Sequence, residues 1–292
     1  MVGWISCGLP EVNMAVLLAG LSALMFGAAD FAGGMATRKS SVFAVLLYSQ
    51  LIGLALAVLA SFALHTPFPR TADMLWGIAA GVSGAVGLAA LYTALATTIV
   101  AVASPIAAAT GAAAPVLFGL LTGERPGLLS WIGIALAIPA IVLLSTEPAD
   151  TGNRPAVRRA TLLGVAAGLG FGVFFITISR TGGGTGLWPL VGARFASLVL
   201  MAAFAAATGR SLRLAPKSGK VTFAAGALDM GANIAFLLAS RTGLLAVVAV
   251  ISSLYPAPTV LLARIVSKER LTPARVAGLV LAVSGIACLS VS

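Results

Sequence analysis

The chain has 292 residues, of which 60% are hydrophobic and 9% charged, and its mean hydropathy is +1.08. A soluble domain carries about 25% charged residues, so this composition excludes a soluble globule and indicates a membrane protein. The formal net charge of +10 resides mostly in short connections between apolar runs. Basic residues there orient spans and meet anionic lipid head groups, and no interleaving of basic and aromatic residues marks a nucleic-acid surface.

A spanning helix needs about 20 mostly apolar residues. Ten such stretches occur, at 14–35, 42–63, 74–95, 98–121, 127–146, 160–179, 187–208, 220–240, 243–265 and 273–291. Residues 1–13 read as an N-terminal tail, too short and interrupted for a signal peptide with a following mature domain. Cys7 and Cys288, near opposite chain ends in apolar surroundings, read as small apolar filler. The first span carries Asp30 in its second half, close before Arg38-Lys39. That aspartate either balances the two cations at the interface or serves as a proton-coupling carboxylate. Charges at membrane depth are costly and usually face a bundle interior or water. The loop 65–70 holds the sole histidine, His65, which is no metal site.

The third span has Gly77, Gly81, Gly84 and Gly87 at three- and four-residue spacings, a stripe for close helix packing. It ends at Tyr92, whose hydroxyl is in reach of a cavity. A tight turn at Thr97-Thr98 predicts that the third and fourth helices are antiparallel neighbours. The fourth span contains Pro105 and Pro115, with Ser104 beside them. Proline removes a helix hydrogen bond and frees a carbonyl, so this span reads as kinked and cavity-lining. Gly123-Glu124-Arg125-Pro126 then leads into the fifth span, and 147–159, with three arginines, reads as a linker.

The second half repeats this order. Its first span carries Gly164, Gly168, Gly170 and Gly172. Its second holds Arg194 about a third of the way in. The third holds Asp229, Asn233 and Phe236, which share one helix face by their spacing. Either these three form a solute-binding face, or Asp229 pairs with Arg194 and ties two helices together. Thr242-Gly243 repeats the tight turn. Pro256 and Pro258, near Ser252, Ser253 and Tyr255, repeat the break, and Lys268-Glu269-Arg270 precedes the last span.

The halves match at a constant offset of 145 residues: Glu124 with Glu269, Arg125 with Arg270, Gly133 with Gly278, Ser145 with Ser290. Residues 14–146 and 160–292 are therefore two copies of one unit. Five spans per copy is an odd number, so the second copy lies upside down relative to the first. The expected fold is an all-α membrane protein, with ten transmembrane helices in two inverted five-helix repeats. Many secondary transporters are built this way, with the solute at the repeat interface near the midplane. Counting Lys and Arg by loop puts thirteen on one side and four on the other, with Arg194 between. The positive-inside rule then places both termini outside. No Walker loop, nucleophile elbow, metal-binding histidine pair or cofactor fingerprint is present, so no enzyme, catalytic residue, cofactor or metal is expected.

Each repeat closes with Gly-Glu-Arg or Lys-Glu-Arg before a final glycine-containing helix. With Gly133, Gly278 and the prolines of the fourth and ninth spans, this resembles the EamA-type transporters of the drug/metabolite transporter superfamily across about residues 14–291. Arg194 also resembles an arginine common early in the second helix of such a repeat. The chain departs from the pattern at Ser49, which matches Arg194, and at Lys268, which stands where a glycine would precede the glutamate. The resemblance implies cytoplasmic termini, against the charge count, in a multi-pass protein of the bacterial inner membrane. It also implies a basket of helices around a cavity, with the fifth and tenth packed outside.

The expected function is an exporter of a small organic metabolite, such as an amino acid or a drug-like solute, acting by alternating access as a monomer or homodimer. The site is expected among spans 1, 3, 4, 6, 8 and 9. The partners are the solute, a proton and the lipid bilayer. The alternatives are a small multidrug-type proton/cation antiporter using Asp30 or Asp229, and a non-transporting membrane subunit.

Overall fold

The structure, a computed structural model, describes residues 11–97, 100–146 and 154–291. Its helices are α1 (Glu11–Thr37), α2 (Val42–Ala63), α3 (Thr71–Thr97), α4 (Val100–Leu121), α5 (Leu128–Ser145), α6 (Arg154–Ser179), α7 (Trp188–Ala207), α8 (Gly219–Ser240), α9 (Leu245–Ser252), α10 (Pro256–Val266) and α11 (Pro273–Ser290). Among the described residues, ten stretches are long and apolar enough to cross a membrane, with α9 and α10 together forming the ninth.

The packing exposes the symmetry. The first helix of each repeat lies along the third helix of the other: α1 along α8, and α6 along α3. The two second helices meet as α2 and α7, and the two fifth helices as α5 and α11. Exchanging the repeats leaves this pattern of partners unchanged, as a pseudo-twofold axis between inverted copies requires. The α5–α11 pair contributes no residue to the central cavity, as a basket with its fifth and tenth spans outside requires.

Small residues allow these crossings. Within the membrane no hydrophobic force drives helices together, so close backbone approach and dispersion matter most. A Cβ built on Gly170 of α6 would lie 2.6 Å from Gly87 Cα and 2.8 Å from the Ser83 carbonyl oxygen of α3. Both stripes predicted from the glycine spacing therefore lie at the crossing between repeats.

Of three local expectations, the first is met in part and the other two need correction. The α3–α4 turn includes Thr98, which lies outside the described residues. α3 and α4 touch, but α3 packs at greater length along α6 and α7. The close glycine crossing with the other repeat outweighs the short connection. Second, α6 begins at Arg154, so Arg158 and Arg159 lie on helix rather than in the linker; residues 147–153 lie outside the described residues. Third, the two proline-bearing spans differ. Pro105 and Pro115 both sit inside one continuous helix, α4, so the expected breaks there do not occur. The ninth span does stop, at Ser253, and restarts at Pro256. Two prolines within one turn leave two missing donors and two ring clashes close together. Pro256 and Pro258 are accommodated in the first turn of a new helix, where amide donors lack intrahelical partners anyway.

The loops fall on two faces. One, here the basic face, carries the α1–α2, α7–α8 and α10–α11 connections with Arg38, Lys39, Arg210, Arg213, Lys217, Lys268 and Arg270. The opposite face carries the α2–α3, α4–α5, α6–α7 and α8–α9 connections.

Candidate functional site

Between the repeats lies a cavity of about 530 Å³. Its wall at the basic face comes from Gly33, Gly34 and Thr37 of α1 and Val42 of α2, so that is the end at which it opens. Gly33 and Gly34 have open space where side chains would stand. A second hollow, lined among others by Thr37, Arg38, Lys39, Ser40 and Arg213, adjoins the mouth.

Four expected residues line the cavity together with Asp30: Arg194, Asp229, Asn233 and Tyr255. Arg194 Nη2 donates to Asp229 Oδ2, and its Nη1 donates to Gln50 Oε1. Gln50 Nε2 in turn donates to Ser197 Oγ at 2.9 Å. The network therefore joins α2, α7 and α8 and satisfies the charge of Arg194. Asn233 is buried, and its Nδ2 donates to the Asp229 carbonyl oxygen at 2.7 Å. Its amide is thus partly committed to its own helix.

Asp30 is different. It is exposed within the cavity, and among the described residues no hydrogen bond or ion pair engages its carboxylate. Phe26 stands one turn earlier on the same face of α1. Its ring meets Phe175 and Tyr255 edge-on, each at a centroid distance of 6.3 Å. Phe171 and Phe174 add to the same wall.

The remaining expected residues lie elsewhere. Phe236 is fully buried and packs behind Phe175, with centroids 4.3 Å apart, so it supports the wall without facing the solute. Ser104, Pro105, Pro115, Pro256 and Pro258 do not line the cavity. The side chain of Tyr92 lies outside the described residues. α2 and α7 line the cavity in addition to the six spans expected. Gln50 was missed because a single amide inside an apolar helix carries little signal. The usable clue was its place directly after Ser49, the position that matches Arg194.

The opposite face is sealed. Glu124 accepts hydrogen bonds from the first amides of α9, at 2.7 Å from Leu245 N and 3.0 Å from Ala246 N. Gly182 N donates to Asp73 Oδ1 at 2.7 Å. Arg241 Nη2 donates to the Gly182 and Gly186 carbonyls at 3.1 and 3.0 Å. Burial pushes the Arg241 guanidinium below its ordinary pKa, and the Asp73 carboxylate partly offsets this. Trp188 closes the layer between Phe62 and Phe68, with centroids at 5.3 and 4.8 Å. The cavity therefore communicates with one side only.

A solved crystal structure has the same fold, with a TM-score of 0.76 over 94% of this chain and 95% of that one at 19% identity. No curated protein matches the sequence. The model of the EamA-like transporter family matches twice, over residues 13–146 and 158–291. The two matched stretches are displaced by the same 145 residues that separate Glu124 from Glu269. Together they take in every span that surrounds the one-sided cavity, and the chain belongs to the EamA-like transporter family.

Proposed function

We propose that this protein is a secondary transporter that moves a small organic amine, amino-acid-like or drug-like, by alternating access around the central cavity. One observation carries the reading: the Asp30 carboxylate faces the cavity unpartnered, while the other cavity charges, Arg194 and Asp229, neutralise each other. With all three ionised, the cavity holds one net negative charge. A protonated amine supplies the missing charge, and the rings of Phe26, Phe175 and Tyr255 suit an apolar or aromatic body and attract a cation edge.

The same carboxylate holds either a proton or the amine, because both occupy the same oxygens. Solute and proton then exchange, and an inward proton gradient drives the solute outward. Export follows from this competition.

The test is flux in proteoliposomes under an imposed pH gradient, with an aromatic amine, its neutral analogue and zwitterionic amino acids. Amine flux that is coupled to proton movement and abolished by Asp30→Asn, with the variant still monodisperse, is the expected result. No flux of any solute would refute transport. Equal flux of the neutral analogue, insensitive to Asp30→Asn, would refute the role of the amine and leave transport standing.

A further inference from the structure

Glu124 and Glu269 occupy the same position in the two repeats, yet their carboxylates are engaged very differently. Each follows the helix that ends the fourth span of its repeat. Each is preceded by a residue in the left-handed region, Gly123 at φ 96° and Lys268 at φ 56°. Glu124 holds the first two amides of α9. Glu269 is 45% exposed, and among the described residues its carboxylate meets Arg38 alone, at 3.7 Å. A surface pair of that kind contributes little.

The repeat relation names the missing partner. Leu245 and Ala246 of α9 correspond, at the 145-residue offset, to Val100 and Ala101, and α4 begins at Val100. The first amides of a helix lack intrahelical acceptors, and the helix dipole favours a carboxylate there. In an inverted repeat the opposite-facing state arises when the two copies exchange conformations.

We infer that Glu124 and Glu269 are alternate helix caps, each locking one face of the protein in turn. When the basic face closes, Glu269 leaves Arg38 and accepts from the Val100 and Ala101 amides at the start of α4. Glu124 then releases α9, and the opposite face opens. One cap forms as the other breaks, so the two states stay close in free energy, as a reversible two-state element requires. The halves differ in one respect. Gly119 leaves room for the Glu124 carboxylate beside α4. Its counterpart, Arg264, is an exposed side chain whose Nη1 lies 3.4 Å from the Glu269 carbonyl oxygen. Closing the basic face requires that long side chain to swing outward.

The inference rests on the alternating-access reading above, and its test separates the two. Spin labels are placed at Arg125→Cys and Thr242→Cys to report the opposite face, and at Arg270→Cys and Thr97→Cys to report the basic face. Both native cysteines are replaced by serine, and distances are measured in the full chain in lipid. Glu124→Gln is expected to shift the ratio of the two states about fivefold toward an open opposite face. Glu269→Gln is expected to shift it about as far the other way, and Glu269→Asp to shift it less. Shifts in the same direction, or no response to Glu269→Gln in a folded protein, would overturn the alternate caps. Opposite shifts without solute flux would uphold the caps and refute transport. Normal flux with unresponsive distances would do the reverse.

Discussion

Arg194 of α7 and Asp229 of α8 form an ion pair at the cavity wall, and Gln50 of α2 takes the second terminal nitrogen of the arginine. Their side chains are 11% and 32% exposed. Removing one partner leaves the other charge in a poorly solvated place, whereas removing both need not. Asp229→Ala is expected to cost about 2 kcal/mol, with some of the usual penalty relieved by water in the cavity. The double variant Arg194→Met with Asp229→Met is expected to recover most of that loss. Thermal melting in detergent checks both. Losses that merely add would show that the pair has no coupling and that the network does not tie the helices together.

At the Gly87–Gly170 crossing the nearest atoms to a side chain on Gly170 are all backbone, of Gly87 and Ser83. Backbone cannot move aside as a flexible side chain does. Gly170→Ala is therefore expected to destabilise the fold by about 1–3 kcal/mol through overpacking. Gly20→Ala in α1 meets nothing within 4 Å and is expected to be neutral or to stabilise, by up to about 1 kcal/mol through helix propensity. Unfolding measured in the same lipid for both variants settles the contrast. Equal effects at the two sites would mean that the inter-repeat crossing is looser than described.

Lys268 adopts a left-handed backbone that Gly123 adopts without cost in the first repeat. For a residue with a Cβ this conformation costs about 1–2 kcal/mol. Lys268→Gly removes the steric penalty but gives back some chain entropy, so a net gain of about 0.5–1 kcal/mol is expected. A raised melting temperature is the readout. A lowered one would show that the Lys268 side chain makes a contribution larger than the strain.

The large-scale order was legible because it rests on repetition and apolar length, which are linear properties. The matched Glu124 and Glu269 revealed two copies, and five spans per copy forced the inversion. What escaped was pairwise. The likeness of Pro105/Pro115 to Pro256/Pro258 concealed that prolines ten residues apart are absorbed singly, whereas prolines two apart end a helix. Asp229, Asn233 and Phe236 share a face in spacing, yet Asp229 pairs with Arg194 at the cavity wall, Asn233 is buried there and bonded to its own helix, and Phe236 is sealed behind Phe175. Helical periodicity gives direction around one axis; it does not give the depth of what lies opposite. Gln50 shows the same limit, since its role exists only through an arginine 144 residues away.

The unequal cavity wall bears on why the two copies are joined in one chain. Were they separate identical subunits, every position would recur across the axis. An arginine at the place of Arg194 would then bring a second arginine in place of Ser49, and an aspartate at the place of Asp30 would replace Phe175 with a second acid. Two like charges brought into one small chamber oppose each other strongly. Covalent fusion lifts that obligation. It lets one copy carry the cation, the other the free acid, and the remaining two places a hydroxyl and an aromatic ring, so that a symmetric scaffold encloses a chamber with a definite handed polarity.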